Sequence, residues 1–241
     1  MSFILLSTIY NLENFNQFGT QEAIPFIPIV IGMLIAAAMG YGIKLYFFPS
    51  KKTKKIAILG AVASGKTTLW NKLRDQVCPE HDSNNYEGPI DKFDISIDGR
   101  TVSICATKDI VGTDDWVQDY ESVIQEGTFI YYLVDLTRLK ETKREIRSRL
   151  QKISKIIKEK KYKDCGLKII ATHYDEYSNN IGYPSREDAA GEVKLVIDAK
   201  SIKDFDIDID DRVIAVNLLN TSDIETIKRE IINKNNKENN K

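Results

Sequence analysis

The sequence predicts an α/β domain with a six-stranded, mostly parallel sheet, one antiparallel strand and about five helices, preceded by a single transmembrane helix. Three observations support this organisation. From residue 55 onward, short apolar runs alternate with longer amphipathic stretches, as expected for strands joined by crossover helices. A glycine-rich loop stands between the first strand and the first helix. A charge-free apolar stretch lies ahead of both.

The composition fits one folded domain with an appendage. The chain has 241 residues, 42% of them hydrophobic, which is enough to bury a full core. Its formal net charge is -1, so the composition gives no reason to expect a nucleic-acid partner. The three cysteines lack the paired spacing of metal sites or disulfide frameworks.

The first predicted element is a membrane span over residues 24–48. Residues 24–43 are twenty residues without a charge, and a helix of that length crosses about 30 Å of hydrocarbon. Four lysines follow at positions 51–55, whereas residues 1–43 contain no Lys or Arg. The positive-inside rule therefore predicts a cytoplasmic domain and an external N-terminus. A cleaved signal peptide fits less well because it would begin with basic residues, and a buried globular helix is the other alternative.

Small residues recur at every fourth position of this span, at Gly32, Ala36 and Gly40. Such a stripe allows two helices to approach closely, which raises the hypothesis that the span self-associates. The predicted domains are a short extracytoplasmic N-terminus, the span, a basic juxtamembrane linker, the α/β domain and a disordered polar tail, at residues 1–23, 24–48, 49–55, 56–233 and 234–241.

The strands of the sheet are predicted from short apolar runs. They are placed at residues 55–59, 92–97, 101–106, 129–135, 168–172 and 213–216. The second and third are separated only by Asp98 and Gly99, a pair suited to the positive φ angles of a tight hairpin, so one strand is expected to run antiparallel. The other connections contain helical stretches, and the strands that they join are expected to be parallel.

The helices are predicted from apolar residues that recur every three or four positions. They are placed at residues 66–77, 115–125, 140–161, 186–199 and 224–232. Residues 140–163 carry eleven Lys or Arg against three acids. This charge run indicates either a solvated helix face or a contact with anionic lipid or an acidic partner.

The strongest motif is G-x-x-x-x-G-K-T, between the first strand and the first helix. Its glycines let the backbone wrap around a phosphate chain, while the loop amides and the helix N-terminus supply a positive dipole. Lys66 is predicted to neutralise the β and γ phosphates, and Thr67 to bind Mg²⁺. The predicted nucleotide contacts of this loop are Gly60, Ala63, Ser64, Gly65, Lys66, Thr67 and Thr68.

A second motif, D-x-x-G, follows the third strand at Asp109 to Gly112. Asp109 is predicted to hold Mg²⁺, and the Gly112 amide to sense a γ-phosphate and order the segment after it. The pattern has only four residues, so a plain surface turn is the alternative.

The third motif is Thr172-His173-Tyr174-Asp175, after the fifth strand. Together, and in this order, the three motifs resemble the Ras-like small GTPase superfamily over roughly residues 54–233. The resemblance implies that Asp175 reads guanine, that Thr172 replaces the more frequent Asn, and that His173 replaces the Lys that packs over the base. A plain loop at the end of the strand is the alternative.

The same resemblance implies further nucleotide contacts at Asn217 and Leu218, which match a short turn of the family by position. It implies GTP or GDP as ligand and Mg²⁺ as cofactor. The family's first switch contains a Thr that binds Mg²⁺, but residues 78–92 contain none, and Ser83 is the candidate for that metal ligand.

The catalytic residues implied by the resemblance are Lys66 and Thr113. Thr113 stands where many family members have a Gln that orients water, so slow or partner-assisted GTP hydrolysis is predicted. The preferred function is a membrane-anchored GTP-binding regulator that recruits a partner protein through residues 78–92 and 110–120. Its layout resembles that of the signal-recognition-particle receptor β subunit and of the Arf and Sar branch.

Two other functions fit the sequence. One is a pseudo-GTPase scaffold or anchor subunit that holds nucleotide as a structural element, which the absence of the switch Thr and Gln favours. The other is a P-loop ATPase in which Asp135, at the end of an apolar strand, acts as the Walker-B acid. Competition between ATP and GTP would distinguish the P-loop ATPase from the GTP-binding regulator and from the pseudo-GTPase scaffold.

Overall fold

A six-stranded sheet forms the centre of the domain. The structure is a computed structural model, and it describes residues 53–77, 88–113, 119–197 and 212–233. The strands in chain order are β1 Thr53–Gly60, β2 Gly88–Ile90, β3 Phe93–Ile97, β4 Arg100–Ile104, β5 Thr107–Asp109, β6 Thr128–Asp135, β7 Gly166–Thr172 and β8 Val213–Ala215. The strand order in the large sheet is β3-β4-β1-β6-β7-β8, and β2 pairs with β5 in a separate two-stranded sheet.

The pairing confirms the prediction of one antiparallel strand in a parallel sheet. Strand β3 runs antiparallel to β4, and the remaining neighbours of the large sheet are parallel. Asp98 and Gly99, with φ angles of 50° and 72°, form the turn between β3 and β4. These positive angles suit a two-residue hairpin, as the Asp-Gly pair predicts.

Helices cover both faces of the sheet. They are α1 Lys66–Leu73, α2 Tyr120–Val123, α3 Leu139–Lys160, α4 Tyr174–Ile181, α5 Arg186–Val196 and α6 Thr221–Asn233, with a 3-10 turn at Leu136–Arg138. Helices α1 and α6 share one buried apolar cluster with the sheet, and α2, α3 and α5 share the other. Strand β6 is buried along most of its length, because a parallel sheet covered on both faces excludes water from its central strands.

This architecture fits the G domain that the motifs resemble. Within the described residues, it combines a mixed α/β topology, a six-stranded sheet with one antiparallel strand and six α-helices. The six predicted strands are all present, with boundaries that differ by at most two residues.

Three local predictions were incomplete. The short pair β2 and β5 was not predicted, because their sequences, Gly-Pro-Ile and Thr-Lys-Asp, contain no apolar run. Helix α4 was also missed, because most of its eight residues are polar and include Asp, Ser and Asn, which are typical of turns and loops. Helix α1 ends at Leu73 rather than at residue 77, since Asp75 adopts a φ of 55° that a helix cannot continue through.

The predicted membrane span lies outside the described residues. Within the part of the chain that the structure describes, no helix is both long enough and apolar enough to cross a bilayer. Residues 24–48, the flanking segments 1–23 and 49–52, and the tail 234–241 fall outside that part, so their assignments stay predictions.

Candidate nucleotide-binding site

The fold brings the glycine-rich loop and the Thr172-His173-Tyr174-Asp175 motif to one edge of the large sheet, while the D-x-x-G motif begins at the end of β5 in the two-stranded sheet. The glycine-rich loop follows β1, the turn at Asp135 follows β6, the segment from His173 follows β7, and the turn at Asn217 follows β8. Strands β1, β6, β7 and β8 are parallel neighbours, so their carboxyl ends meet at this edge. Ligands of open α/β sheets bind at such an edge.

The loop between β1 and α1 has the backbone of a phosphate cradle. Gly60 has a φ of 151° and Gly65 a φ of 89°, angles that favour glycine. A Cβ at Gly60 would lie 2.6 Å from the Leu133 carbonyl oxygen. Ser64 Oγ donates a hydrogen bond of 2.9 Å to the Ala61 carbonyl oxygen, which stabilises the curl of the loop.

Lys66 is a buried cation at the start of α1. Its Nζ donates a hydrogen bond of 2.7 Å to the Ala61 carbonyl oxygen, so the side chain folds back over the loop. Burial lowers the pKa of Lys66 to about 8, although the nearby Asp109 carboxylate opposes this shift. A desolvated ammonium group of this kind is stabilised when an anion such as a phosphate contacts it.

Thr67 and Asp109 form an oxygen pair beside the loop. Thr67 Oγ1 donates a hydrogen bond of 2.7 Å to Asp109 Oδ2. Asp109 is 4% exposed, and its Oδ1 is buried without a hydrogen-bond partner among the described residues. Burial raises the pKa of Asp109, and the bond from Thr67 opposes that shift.

This donor set fits Mg²⁺. Mg²⁺ prefers oxygen ligands and is usually held by one or two carboxylates together with substrate phosphates. The described part of the chain contains no group of three His, Cys, Asp or Glu residues that could form a complete cage. Thr67 and Asp109 are therefore the residues that would hold the ion, while Ser83 lies outside the described residues.

Gly112 packs directly against the glycine-rich loop of residues 60–67, which is called the phosphate loop below. A Cβ at this position would lie 2.3 Å from the Ala61 carbonyl carbon and 2.4 Å from the Val62 nitrogen, so only glycine fits. The end of the D-x-x-G motif is thus in contact with the glycine-rich loop. Thr113 follows immediately and is the last residue described before residue 119.

The Thr172-His173-Tyr174-Asp175 segment joins β7 to α4. The Thr172 side chain is buried, and its hydroxyl lies 3.0 Å from the Ser64 carbonyl oxygen. This contact helps to hold the phosphate loop in place. His173 has a φ of 56°, and its Nδ1 lies 3.4 Å from Asp135 Oδ1. Asp175 is half-buried in the first turn of α4.

The turn after β8 also contacts the phosphate loop. A Cβ at Gly65 would lie 2.6 Å from Leu218 Cδ1, so the Leu218 side chain fills the space beneath that glycine. The Asn217 backbone N–H donates a 2.7 Å bond to Asp223 Oδ2. Asp223 therefore fixes this turn, a role that no sequence motif indicates.

The acid opposite Thr67 is Asp109 and not Asp135. Asp135 Oδ1 accepts bonds from the Thr137 backbone nitrogen at 2.9 Å and from Thr137 Oγ1 at 2.7 Å. It thereby caps the 3-10 turn after β6. The position that a Walker-B acid would occupy at the P-loop hydroxyl is taken by Asp109.

Arg149 is the main residue of this region that the motifs do not include. It lies in α3, it is 2% exposed, and its guanidinium contacts both the phosphate loop and Gly112. The sequence contains one signal for its burial. Arg149 is three residues after Ile146 and four before Ile153, on the apolar stripe of the helix.

Comparisons with known proteins give limited likenesses. No protein-family model matches the chain, and no curated protein matches it. A GTP-binding protein from Sulfolobus solfataricus in complex with GDP matches at 18% identity and a TM-score of 0.47, over 86% of this chain and 58% of that one. The chain therefore spans less than two thirds of that protein's length.

Two shorter proteins match over nearly their whole length. The Arl6 BBS3 small GTPase from Trypanosoma brucei with bound GppNp matches at 13% identity and a TM-score of 0.49, over 76% of this chain and 99% of that one. The FeoB G-domain from Methanococcus jannaschii matches at 18% identity and a TM-score of 0.45, over 75% and 96%. Likenesses with TM-scores below 0.5 assign neither a family nor a ligand to this chain.

Proposed function

We propose that this chain is a membrane-anchored, GTP-binding switch that regulates a partner protein. The observation that carries the proposal is the bond of 2.7 Å between Thr67 and Asp109, next to the buried Lys66 ammonium. A hydroxyl, a carboxylate and a desolvated cation around one glycine-rich loop have complementary partners in Mg²⁺ and a polyphosphate. Because Gly112 contacts the same loop, a phosphate bound there would influence the position of the segment after Gly112.

Guanine preference rests on Asp175. A carboxylate that faces a base accepts two hydrogen bonds from guanine, through N1 and the exocyclic amine, whereas adenine offers no matching pair of donors. His173 would stack on the base, and the Leu218 amide is the candidate for the guanine carbonyl because Asn217 N–H is already bonded to Asp223. The P-loop ATPase alternative is disfavoured, because Asp135 caps the turn at Thr137.

Hydrolysis by the isolated chain is proposed to be slow. Thr113 has a short side chain without the carboxamide that would orient an attacking water. A partner that supplies the missing group would then set the lifetime of the GTP state. Many turnovers per minute by the purified chain would contradict this part of the proposal.

The anchor and the partner surface are proposed from the sequence. Residues 24–48 would hold the domain at the membrane, and residues 78–92 and 110–120 would contact an effector. The pseudo-GTPase alternative keeps the same site but not the switching, and the absence of Thr from residues 78–92 favours it. Partner binding that is equal in the GDP and GTP states would support that alternative.

The first experiment is calorimetric titration of the full chain, in detergent and Mg²⁺, with GTP, GDP and ATP. We expect guanine nucleotides to bind at least about a hundredfold more tightly than ATP, because a site with unpaired hydrogen-bonding groups strongly rejects the wrong base. Asp175→Ala should abolish that preference. The matched control is Glu176→Ala, which removes the neighbouring exposed acid in the same turn of α4 and should leave the preference unchanged.

Equal binding of ATP and GTP by the unsubstituted chain would contradict the guanine assignment. Absence of binding by all three nucleotides would contradict the whole proposal.

A further inference from the structure

Arg149 is a buried charge in the middle of a surface helix. Most of the other basic side chains of α3 are exposed, whereas the Arg149 side chain is 2% exposed. Burying a guanidinium is unfavourable unless its charge is paired and its donors are bonded. The contacts of Arg149 therefore show which parts of the structure this helix holds in place.

Arg149 joins α3 to both segments that face the proposed phosphates. Its Nη2 donates a bond of 2.7 Å to the Gly112 carbonyl oxygen. Its Nη1 lies 3.4 Å from the Gly60 carbonyl oxygen and 3.2 Å from the Tyr120 hydroxyl. The Glu145 carboxylate, one turn earlier, lies 2.7 Å from Nη2 and balances the charge.

These contacts act at the point where Gly112 meets the phosphate loop. Gly112 has no space for a Cβ against Ala61 and Val62, so its position depends on close contact between two backbone segments. Gly112 has no side chain that could attach it to the loop. The bond from Arg149 supplies that attachment, because a hydrogen bond from a charged donor is stronger than a neutral one.

We propose that Arg149 is a positioning residue that holds the Gly112 turn against the phosphate loop and thereby sets the preference for nucleoside triphosphate over diphosphate. The inference rests on the proposed function, since it assumes that Gly112 senses a γ-phosphate. A guanidinium that only stabilised the fold would affect the binding of the two nucleotides equally. The ratio of the two affinities is therefore the informative quantity.

The test measures the dissociation constants of GDP and of a non-hydrolysable GTP analogue for the full chain in detergent and Mg²⁺. We expect Arg149→Met to lower the preference for the triphosphate analogue by about tenfold, the change that follows from losing one charge-assisted hydrogen bond. Arg149→Lys keeps the charge and one donor group, so it should recover part of the preference.

The matched control is Arg147→Met. Arg147 lies on the same helix, but its Nε donates to the Val196 carbonyl oxygen at 2.6 Å, at the end of α5. This control should leave the ratio unchanged even if it lowers stability.

A second variant tests the same contact without altering the guanidinium. Gly112→Ala places a methyl group 2.3 Å from the Ala61 carbonyl carbon, so the turn must move away from the loop. We expect a loss of triphosphate preference in the same direction as in Arg149→Met. If Arg149→Met does not fold, as judged by circular dichroism, Arg149→Lys decides the question.

The outcomes separate the two proposals. If the unsubstituted chain binds neither nucleotide, the proposed function fails and the inference fails with it. If that chain binds both nucleotides and the ratio is unchanged in the folded Arg149 variants, only the inference is overturned.

Discussion

Thr67 and Asp109 define the site at the level of single residues. The hydroxyl donates to one carboxylate oxygen, and the other oxygen is buried without a partner among the described residues. A buried acceptor without a donor is unfavourable by about 1–3 kcal/mol. A Mg²⁺ ion bound beside this oxygen would remove that penalty.

Replacing Thr67 should therefore remove most of the effect of Mg²⁺ on nucleotide affinity. We expect Mg²⁺ to strengthen GDP binding to the unsubstituted chain, and we expect at least a tenfold smaller effect in Thr67→Val, because the metal loses a ligand of the kind that it prefers. The measurement is GDP affinity in Mg²⁺ and in EDTA. Thr67→Ser keeps the hydroxyl and is the matched variant, and an identical Mg²⁺ effect in Thr67→Val would exclude this residue as a metal ligand.

Helix α5 shows how local sequence determines where an element begins. Ser185 and Asp188 form a reciprocal capping box, in which Ser185 Oγ accepts from the Asp188 nitrogen at 3.1 Å and Asp188 Oδ2 accepts from the Ser185 nitrogen at 3.1 Å. The first turn of a helix has unpaired N–H groups, and these two side chains satisfy some of them. Arg186 then links the helix to Asp223, the residue that fixes the turn at Asn217.

Removal of this cap should lower the stability of the domain. We expect Ser185→Ala to reduce the free energy of unfolding by about 1 kcal/mol, the usual effect of losing a helix N-cap. Urea denaturation followed by circular dichroism measures the change. Ser148→Ala alters an exposed serine in the middle of α3 and should cause no loss, since alanine is the better helix former. A loss of the same size in both variants would show that the capping box is not the cause.

At the scale of the whole molecule, the sheet separates two buried clusters and gathers the motifs at one edge. Both clusters include residues of strands β1, β6 and β7. The loops at the carboxyl edge are therefore positioned by packing on both faces. Whether this domain is held at a membrane depends on residues 24–48.

The membrane prediction can be tested on the full chain. We expect the protein to remain in the membrane pellet after an alkaline carbonate wash, because about twenty apolar residues suffice to span a bilayer. Leu34→Lys combined with Ile35→Lys should release it, since two charges at the centre of a span strongly disfavour insertion. The control is Lys44→Ala, at the predicted boundary. Retention of the double variant in the pellet would count against the span.

The sequence by itself determined the fold class, the six strands, the hairpin at Asp98 and Gly99, and the residues of the phosphate loop. These features depend on local properties, such as apolar periodicity, positive φ angles and the spacing of glycines, which are readable without knowledge of distant contacts. The short strands β2 and β5 and the helix α4 were not predicted, because their sequences are mostly polar or contain Gly and Pro and show no apolar run.

Only the tertiary structure showed that Asp109 is the acid bonded to Thr67. It also showed which loops Thr172 and Asp223 contact, and why an arginine in a lysine-rich helix is buried. The choice between Asp109 and Asp135 depends on tertiary packing, because Asp109 ends β5 of the two-stranded sheet and Asp135 ends β6 of the large sheet. The role of Arg149 depends on α3 packing against the phosphate loop. Most of these contacts join residues at least 37 positions apart in the chain, although Asp223 and Asn217 are only six apart. The packed sheet and its helices bring the distant partners together.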